Sequence, residues 1–395
     1  MPETTRTVDI LVLGATVAGL TTAVEAARAG ASVIVVDLAE ATRFGTGLVT
    51  VAHGPRLRDV ELHRGLPAVE RLIAETLRGI EWLRQNLPAH GVELTPRTAY
   101  SIAVDGHLAF HLRHEARLLR RGSVTVDMTD EQPLAPLETR PPLVFADQAQ
   151  VDPHRHRDAL LAAARSAGVD RVGGATLGRF TPGQPWRVTF EVAGATHVVS
   201  TTHVVDTIGS APWGGRLGGT TRVCPVVLAT PGEPEVRPDL HVLVDTPAAL
   251  VFTLRGHSVL VGHPVDPHDE HAAIVDLVAF TSRLGREVTS IRTRHVEESG
   301  DGLPLVGRLP VLEGAWIARG FGLSETTLVT VELRGEWTAG MTVVDFDPEL
   351  ALLPATLAAA AARPRTKIAR ELDRDRFWNL VIDAVARLSG RVPGA

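Results

Sequence analysis

Residues 10–37 read ILVLGATVAGLTTAVEAARAGASVIVVD. Two continuous apolar runs, VDILVL and SVIVVD, flank a segment with helical patterning from about Leu20 to Ala29. An unbroken apolar run is how a strand reads when both of its faces are buried, as in a parallel sheet. Gly30 stands where a helix needs a left-handed residue to end. The turn between the first strand and the helix, Gly14-Ala15-Thr16-Val17-Ala18-Gly19, follows the phosphate-binding pattern G-x-G-x-x-G at its two outer positions. There the first glycine makes the tight turn and the last allows helix and strand to approach closely. The middle glycine lets backbone approach a pyrophosphate. Thr16 occupies that middle position. The helix N-terminus still offers free N–H groups and the positive end of its dipole to an anion. Asp37 ends the second strand, 23 residues after Gly14, where an acid can accept a ribose hydroxyl. The alternative is a unit that keeps this shape and has lost its ligand.

Working outward, 395 residues of which 44% are hydrophobic can bury a large core and suggest two domains or one composite one. The net charge of −6 with scattered arginines leaves no footprint for nucleic acid. Lys367 is the only lysine, which removes that residue from the candidate catalysts elsewhere. The single cysteine, Cys224, excludes an internal disulfide and fits a reducing cytoplasm. No basic and apolar leader is visible, and no apolar run nears the ~18–20 residues of a membrane helix. The expectation is a cytoplasmic protein without a membrane segment.

Three-to-four spacing of Leu62, Val69, Leu72, Ile73, Leu77, Ile80 and Leu83 predicts helix over 59–90. Further helices are expected over 107–121, 150–168 and 270–285, with strands at 186–192 and 196–209. Residues 221–262 alternate apolar and polar as in an antiparallel sheet. The tail from Thr366 sets Trp378, Val381, Ile382, Val385 and Leu388 on one helical face. These pieces predict an α/β protein with a cofactor domain from 1–55, 145–215 and 300–345. A mostly antiparallel second domain would come from 56–144 and 216–299, and a helical tail from 346–395.

Several stretches together resemble the flavin-dependent D-amino-acid-oxidase and glycine-oxidase superfamily, most closely the subgroup that often carries a C-terminal Rieske domain. They are the opening 10–37, TGLVTVAHG (46–54), AETLRGIEWL (74–83), RTAYSIA (97–103), VFADQAQVDPHRHRDAL (144–160), GDGLPLVGRLP (300–310) and ARGFG (318–322). The resemblance implies a Rossmann-like FAD-binding domain of the glutathione-reductase type with a mostly antiparallel α+β substrate domain. It puts the pyrophosphate on residues 14–19, the adenosine ribose on Asp37 and Leu38, and the flavin edge near Gly45, Thr46, Gly47, Leu48 and on to Thr50. Further cofactor contacts are implied at Leu177, Gly209, Asp301 and Gly302, and at Gly320, Gly322, Leu323, Ser324, Thr326 and Thr327. Leu323, Ser324 and Glu325 depart from the family's small–Met–Thr ending, and Glu325 would disfavour an anionic reduced flavin. With one cysteine, no iron–sulfur cluster is expected.

In this superfamily the flavin abstracts hydride while the protein positions the substrate. Arg97, Arg222, Arg255, Arg292 and Arg294 are candidates for gripping a substrate carboxylate, since guanidinium binds carboxylate bidentately. Tyr100, the only tyrosine, lies with Arg97 in a family-matching segment on the substrate side. His53 matches a position near the isoalloxazine, as a contact or an attachment point. His107, His111 and His114 fall on one helical face, but no spacing completes a metal site, so a polar face is expected. No Ser–His–Asp order argues for hydrolysis. Three readings follow: oxidation of a C–N bond in a small amine or amino acid, altered flavin chemistry as a tailoring dehydrogenase or oxygenase, or a non-catalytic partner subunit. A homodimer fits any of them.

Overall fold

The computed structural model describes residues 4–38, 47–52, 56–104, 106–208, 211, 220–231, 240–244, 246–298, 305–308 and 312–319. Its elements in chain order begin with β1 (Thr4–Leu13), α1 (Val17–Arg28), β2 (Val33–Leu38), β3 (Leu48–Val49), α2 (Arg56–Arg64), α3 (Leu66–Asn86), β4 (Thr95–Ala103) and α4 (Gly106–Arg121). Next come β5 (Asp127–Met128), β6 (Leu143–Gln150), α5 (Pro153–Ser166), β7 (Asp170–Thr181), β8 (Trp186–Val192) and β9 (Ala195–Asp206). Last are β10 (Thr220–Ala229), β11 (Leu240–Val244), β12 (Ala248–Leu254), β13 (His257–Gly262), α6 (Glu270–Arg283), β14 (Val288–Glu298), β15 (Leu305–Arg308) and β16 (Ala315–Arg319).

The first sheet runs β1-β2-β7-β8-β9-β16-β15, and β1 also pairs with β9. Strand β1 is parallel to both β2 and β9, β2 is parallel to β7, and β16 is parallel to β9. The antiparallel meander β7-β8-β9 closes the path from one neighbour of β1 to the other. This explains the continuous apolar reading of β1: its side chains alternate between two cores. Ile10 and Val12 pack with Ala18, Leu20 and Val24 of α1, while Leu11 and Leu13 pack with Val188, Phe190 and Val204. Both strand faces are therefore removed from water, which stabilises at roughly 25 cal/mol per Å² of apolar surface.

The second sheet follows β14-β10-β13-β12-β11-β4-β6-β3, with β5 on β6. All its pairings are antiparallel except β11 with β4. The strands of 221–262 pair with one another antiparallel throughout, and the one parallel pair joins β11 to β4, a strand supplied from more than a hundred residues upstream. Strands β3 and β6 belong to this sheet and carry its edge to residues 47–52. One face of the sheet shares a core with α1, including Ala99, Phe145, Cys224, Val226 and Val296. The other face packs Tyr100, Ile102, Val227 and Leu260 beneath Leu277 and Phe280 of α6.

The helix expected over 59–90 is two helices. Gly65, at φ +79, ends α2 and precedes α3, and Pro67 stands in the first turn of α3. Proline is tolerated there because its missing N–H would have had no partner. The expected tail helix of 346–395 lies outside the described residues.

Candidate functional site

The turn after β1 is built for a close approach of backbone to backbone. Gly14 has φ +104, and a Cβ on it would come within 2.5 Å of Ile208 Cγ2 and 2.7 Å of Thr207 Oγ1. A Cβ on Gly19 would be driven onto the Gly14 carbonyl oxygen. Both outer glycines are thus required by packing alone. Thr16 is the N-cap of α1, with φ −76 and ψ 171, and its Oγ1 accepts the Gly19 N–H at 3.0 Å. The same hydroxyl donates to Thr207 Oγ1 at 3.1 Å, and Thr207 Oγ1 donates to the Leu13 carbonyl at 2.7 Å. Thr16 and Thr207 are both buried. The helix's first intrahelical bond is Leu20 N–H to the Thr16 carbonyl. The N–H groups of Val17 and Ala18 precede it and have no helical partner, which leaves them to an anion.

Asp37 is the last but one residue of β2 and stands opposite Gly173 of β7. Its carboxylate meets two arginines from distant elements, Arg171 of β7 and Arg157 of α5, the latter at 3.4 Å. Leu38 follows it, half-buried. Leu177 lies in β7 where its pairing to β8 is interrupted by a bulge. Gly47, at φ +71, accepts the Val151 N–H at 2.8 Å, and a Cβ on it would collide with the Val151 carbonyl. Leu48 and Val49 pair with β6, and Gln148 Oε1 accepts the Val51 N–H at 2.9 Å. Two glutamines of β6 lie against the 47–52 segment, Gln148 through this side-chain bond and Gln150 through its backbone pairing with Leu48. The second, Gln150, accepts from Arg97 Nε at 3.2 Å, and its Nε2 is buried with no hydrogen-bond partner among the described residues.

The expected substrate residues divide between the two faces of the second sheet. Along the β10–β14 ladder Arg222 stands opposite Val296, Cys224 opposite Arg294, and Val226 opposite Arg292. Directly opposed residues share a face, so the three arginines lie on the side that shares its core with α1. Arg222 is tied to Asp266 at 2.9 Å, Arg292 is exposed, and Arg294 is buried. Tyr100 is on the opposite face, where its hydroxyl donates to Glu131 Oε2 at 3.2 Å. Tyr100, Arg97 and Arg222 are therefore not brought to one point. Arg255 is exposed at a hairpin tip and pairs with Asp152 at 2.5 Å. Burial pushes the Asp152 carboxyl up, but Arg255 and the N–H groups of Arg155 and His154 outweigh it and hold it below its ordinary value. His111 contacts Arg58, and His114 Nε2 lies 2.6 Å from Glu61. Among the described residues no group of three metal-binding side chains gathers. His53, Gly45, Thr46, Gly209, Asp301, Gly302, Gly320, Gly322, Leu323, Ser324, Thr326 and Thr327 lie outside the described residues.

Residues 9–339 match the family described as DAO, FAD dependent oxidoreductase. The chain belongs to that family. Its fold is similar to that of L-proline dehydrogenase from P. horikoshii, with a TM-score of 0.67 at 15% identity over 87% of this chain and 95% of that one. Glycine oxidase from Geobacillus kaustophilus aligns with a TM-score of 0.66 at 16% identity, over 87% and 97% of the two chains. Iminodiacetate oxidase from Chelativorans sp. BNC1 gives a TM-score of 0.64 at 18% identity, over 85% and 96%. A separate local match, 43% identical over 68 residues, is to an inosine-uridine preferring nucleoside hydrolase of Leishmania major. It covers 16% of this chain and 18% of that protein, too short a span to bear on the fold.

The cofactor of the family is FAD, and the residues present fit it. Gly14 and Gly19 permit the tight turn and the close helix–strand approach that the phosphate-binding pattern needs. The N–H groups of Val17 and Ala18 suit a pyrophosphate, and Asp37 stands at the strand end where a ribose acid belongs. The orphaned Gln150 Nε2 is a buried donor beside the 47–52 segment.

The sequence reading missed the inward role of the Thr16 hydroxyl, although threonine is a favoured N-cap. It missed the arginines on Asp37 altogether, since no local pattern announces them.

Proposed function

We propose that this chain oxidises a C–N bond of a small amine or amino acid to the imine, in a glutathione-reductase-type FAD domain set against the second sheet. FAD, when bound, supplies the hydride acceptor. The chain's own residues bind and orient. The N–H groups at the start of α1 hold the pyrophosphate, and Asp37 holds the adenosine ribose. The observation that carries the substrate assignment is Arg294, a buried guanidinium on the face of the β10–β14 ladder that shares its core with α1. A carboxylate at that face gains a paired, charge-assisted contact away from water, where such contacts are strong. Arg222, diagonal to it and fixed by Asp266, adds positive potential without leaving its partner.

Arg294→Met tests the reading. A charge-assisted hydrogen bond is worth about 1.5–3 kcal/mol, or about 10- to 150-fold. The expected result is that loss in kcat/KM for amino acids, with little change for amines that lack a carboxylate. Equal losses for both substrate classes would overturn the carboxylate role. Hydrogen peroxide from the same panel identifies an oxidase, whereas reduction of an artificial acceptor without peroxide identifies a dehydrogenase. Neither with any amine would favour the tailoring reading.

A further inference from the structure

We propose that Arg157 and Arg171 are positioning residues that orient Asp37 as the ribose acceptor of the dinucleotide site. The inference rests on FAD lying with its pyrophosphate on the 14–19 turn. Three observations carry it. First, both arginines reach the same oxygen of Asp37: Arg157 Nη2 and Arg171 Nη2 each donate to Oδ2. Oδ1 accepts no hydrogen bond from the described residues, so one oxygen is fixed and the other is left to accept from outside. Second, the carboxylate is mostly withdrawn from solvent, with 14% of its side chain exposed, while the arginines keep 34% and 45%. The charge held in place is thus the acid, by two cations that need not be buried to do it.

Third, the strand opposite that carboxylate presents glycines rather than side chains. The β2–β7 register slips between Asp37, which faces Gly173, and Leu38, which faces Ala175. Gly174 is the residue left over, at φ +65, a conformation that favours glycine. A Cβ on Gly174 would meet nothing within 4 Å, and one on Gly173 would meet only Arg171 Nη2, at 3.9 Å. The missing side chain at Gly173 leaves the room through which the Arg171 guanidinium arrives. A carboxylate with one oxygen clamped, the other unpaired among the described residues, and only glycines opposite it, is arranged to accept from a ribose diol. Without the clamp it would rotate about its terminal torsion, which is broad for aspartate.

The test is reconstitution of the apoprotein, read by flavin fluorescence, with FAD and with an analogue whose adenosine ribose lacks both hydroxyls. The unsubstituted protein, Arg157→Met, Arg171→Met, Asp37→Asn and the double variant Arg157→Met/Asp37→Asn are compared. The expected result has three parts. FAD binds the unsubstituted protein about tenfold or more tightly than the analogue does. Each arginine variant loses about three- to tenfold in affinity for FAD and nothing for the analogue. Arg157→Met has no further effect once Asp37 is asparagine. Equal losses for FAD and analogue would overturn the proposal, assigning the arginines to phosphate or to the fold. Unchanged FAD affinity in both arginine variants would overturn it as well. Failure of the unsubstituted protein to bind FAD would instead sink the cofactor placement beneath it, and equal binding of FAD and analogue there would remove the ribose from Asp37. Arg157 and Arg171 come from different elements, so either variant carries the test if the other does not fold.

Discussion

Thr16 Oγ1 and Thr207 Oγ1 lie 3.1 Å apart, at the joint between the 14–19 turn and the end of β9. The bond is one link in a chain from the Gly19 N–H through both hydroxyls to the Leu13 carbonyl. Every donor and acceptor in it is spent inside the protein. The side chain in the middle position of the motif therefore turns inward, and the outward N–H groups of the turn are left clear.

This orientation sets what Thr16→Gly should do. Removing the side chain loses a helix cap and leaves the buried Thr207 hydroxyl short of a donor, at a cost of about 1–2 kcal/mol in all. Urea unfolding of the apoprotein would read that loss. FAD affinity should stay within about threefold of the original, because the hydroxyl is engaged away from the open side of the turn. A tenfold gain in affinity would show instead that threonine crowds the pyrophosphate.

Gly30 and Gly19 separate two costs that sequence patterns merge. Gly30 has φ +96 but open space around a would-be Cβ, so Gly30→Ala should cost only the left-handed penalty, about 1–2 kcal/mol. Gly19 carries no such dihedral, yet its Cβ would overlap the Gly14 carbonyl oxygen. Gly19→Ala must push α1 away from β1 and should cost more than Gly30→Ala by at least about 2 kcal/mol, within the range for overpacking a core. It should also abolish FAD uptake. Denaturation midpoints with flavin retention on gel filtration would check both, and equal losses would refute the packing argument.

Much of this was legible in the sequence, and the boundary is physical. β1, α1 and β2 declared themselves because burial on both faces removes polar residues, and Gly14, Gly19 and Gly30 mark geometry that few other residues tolerate. Strand β8 was visible from its alternation, and β12 and β13 as short apolar runs buried on both faces, because local pairing needs only local pattern. The parallel join of β11 to β4 was not, nor was the clamp on Asp37, whose arginines come from 120 and 134 residues away. Gly65 was passed over because the apolar spacing continues across it, and only its φ of +79 separates α2 from α3. At the substrate face, composition could nominate five arginines; the β10–β14 register sets Arg222 and Arg294 side by side, and only burial distinguishes Arg294 from its neighbour.

Asp152 joins two tasks whose costs should differ. Its Oδ1 accepts the N–H groups of His154 and Arg155 at the start of α5, and its Oδ2 takes Arg255. Asp152→Ala should lose about 1–2 kcal/mol, since the cap goes with the ion pair. Arg255→Ala should lose no more than about 1 kcal/mol, because 59% of its side chain is in water. Urea titration of both variants at pH 7 measures the difference. A larger loss from Arg255→Ala would make the hairpin contact the dominant part.

His156 gives the fold a dependence on acid. It is buried in α5 with its Nε2 lacking a hydrogen-bond partner among the described residues, and burial lowers its pKa from 6.5 to about 4. The unfolded chain therefore takes up the proton first. The stabilisation is complete above about pH 6.5 and falls away as the pH drops toward 4, because folding must then displace a proton. A displacement of this size corresponds to about 3 kcal/mol at the acid limit. His156→Leu removes the titrating group from an apolar setting. It should change stability modestly at pH 7.5, and relative to the original it should gain about 2–3 kcal/mol as the pH is lowered to about 4.5. Comparing urea midpoints of the two proteins at both pH values cancels the contribution of the other titrating groups. A difference that does not change with pH would mean that His156 reaches solvent or a partner when protonated, and that the acid sensitivity of this fold arises elsewhere.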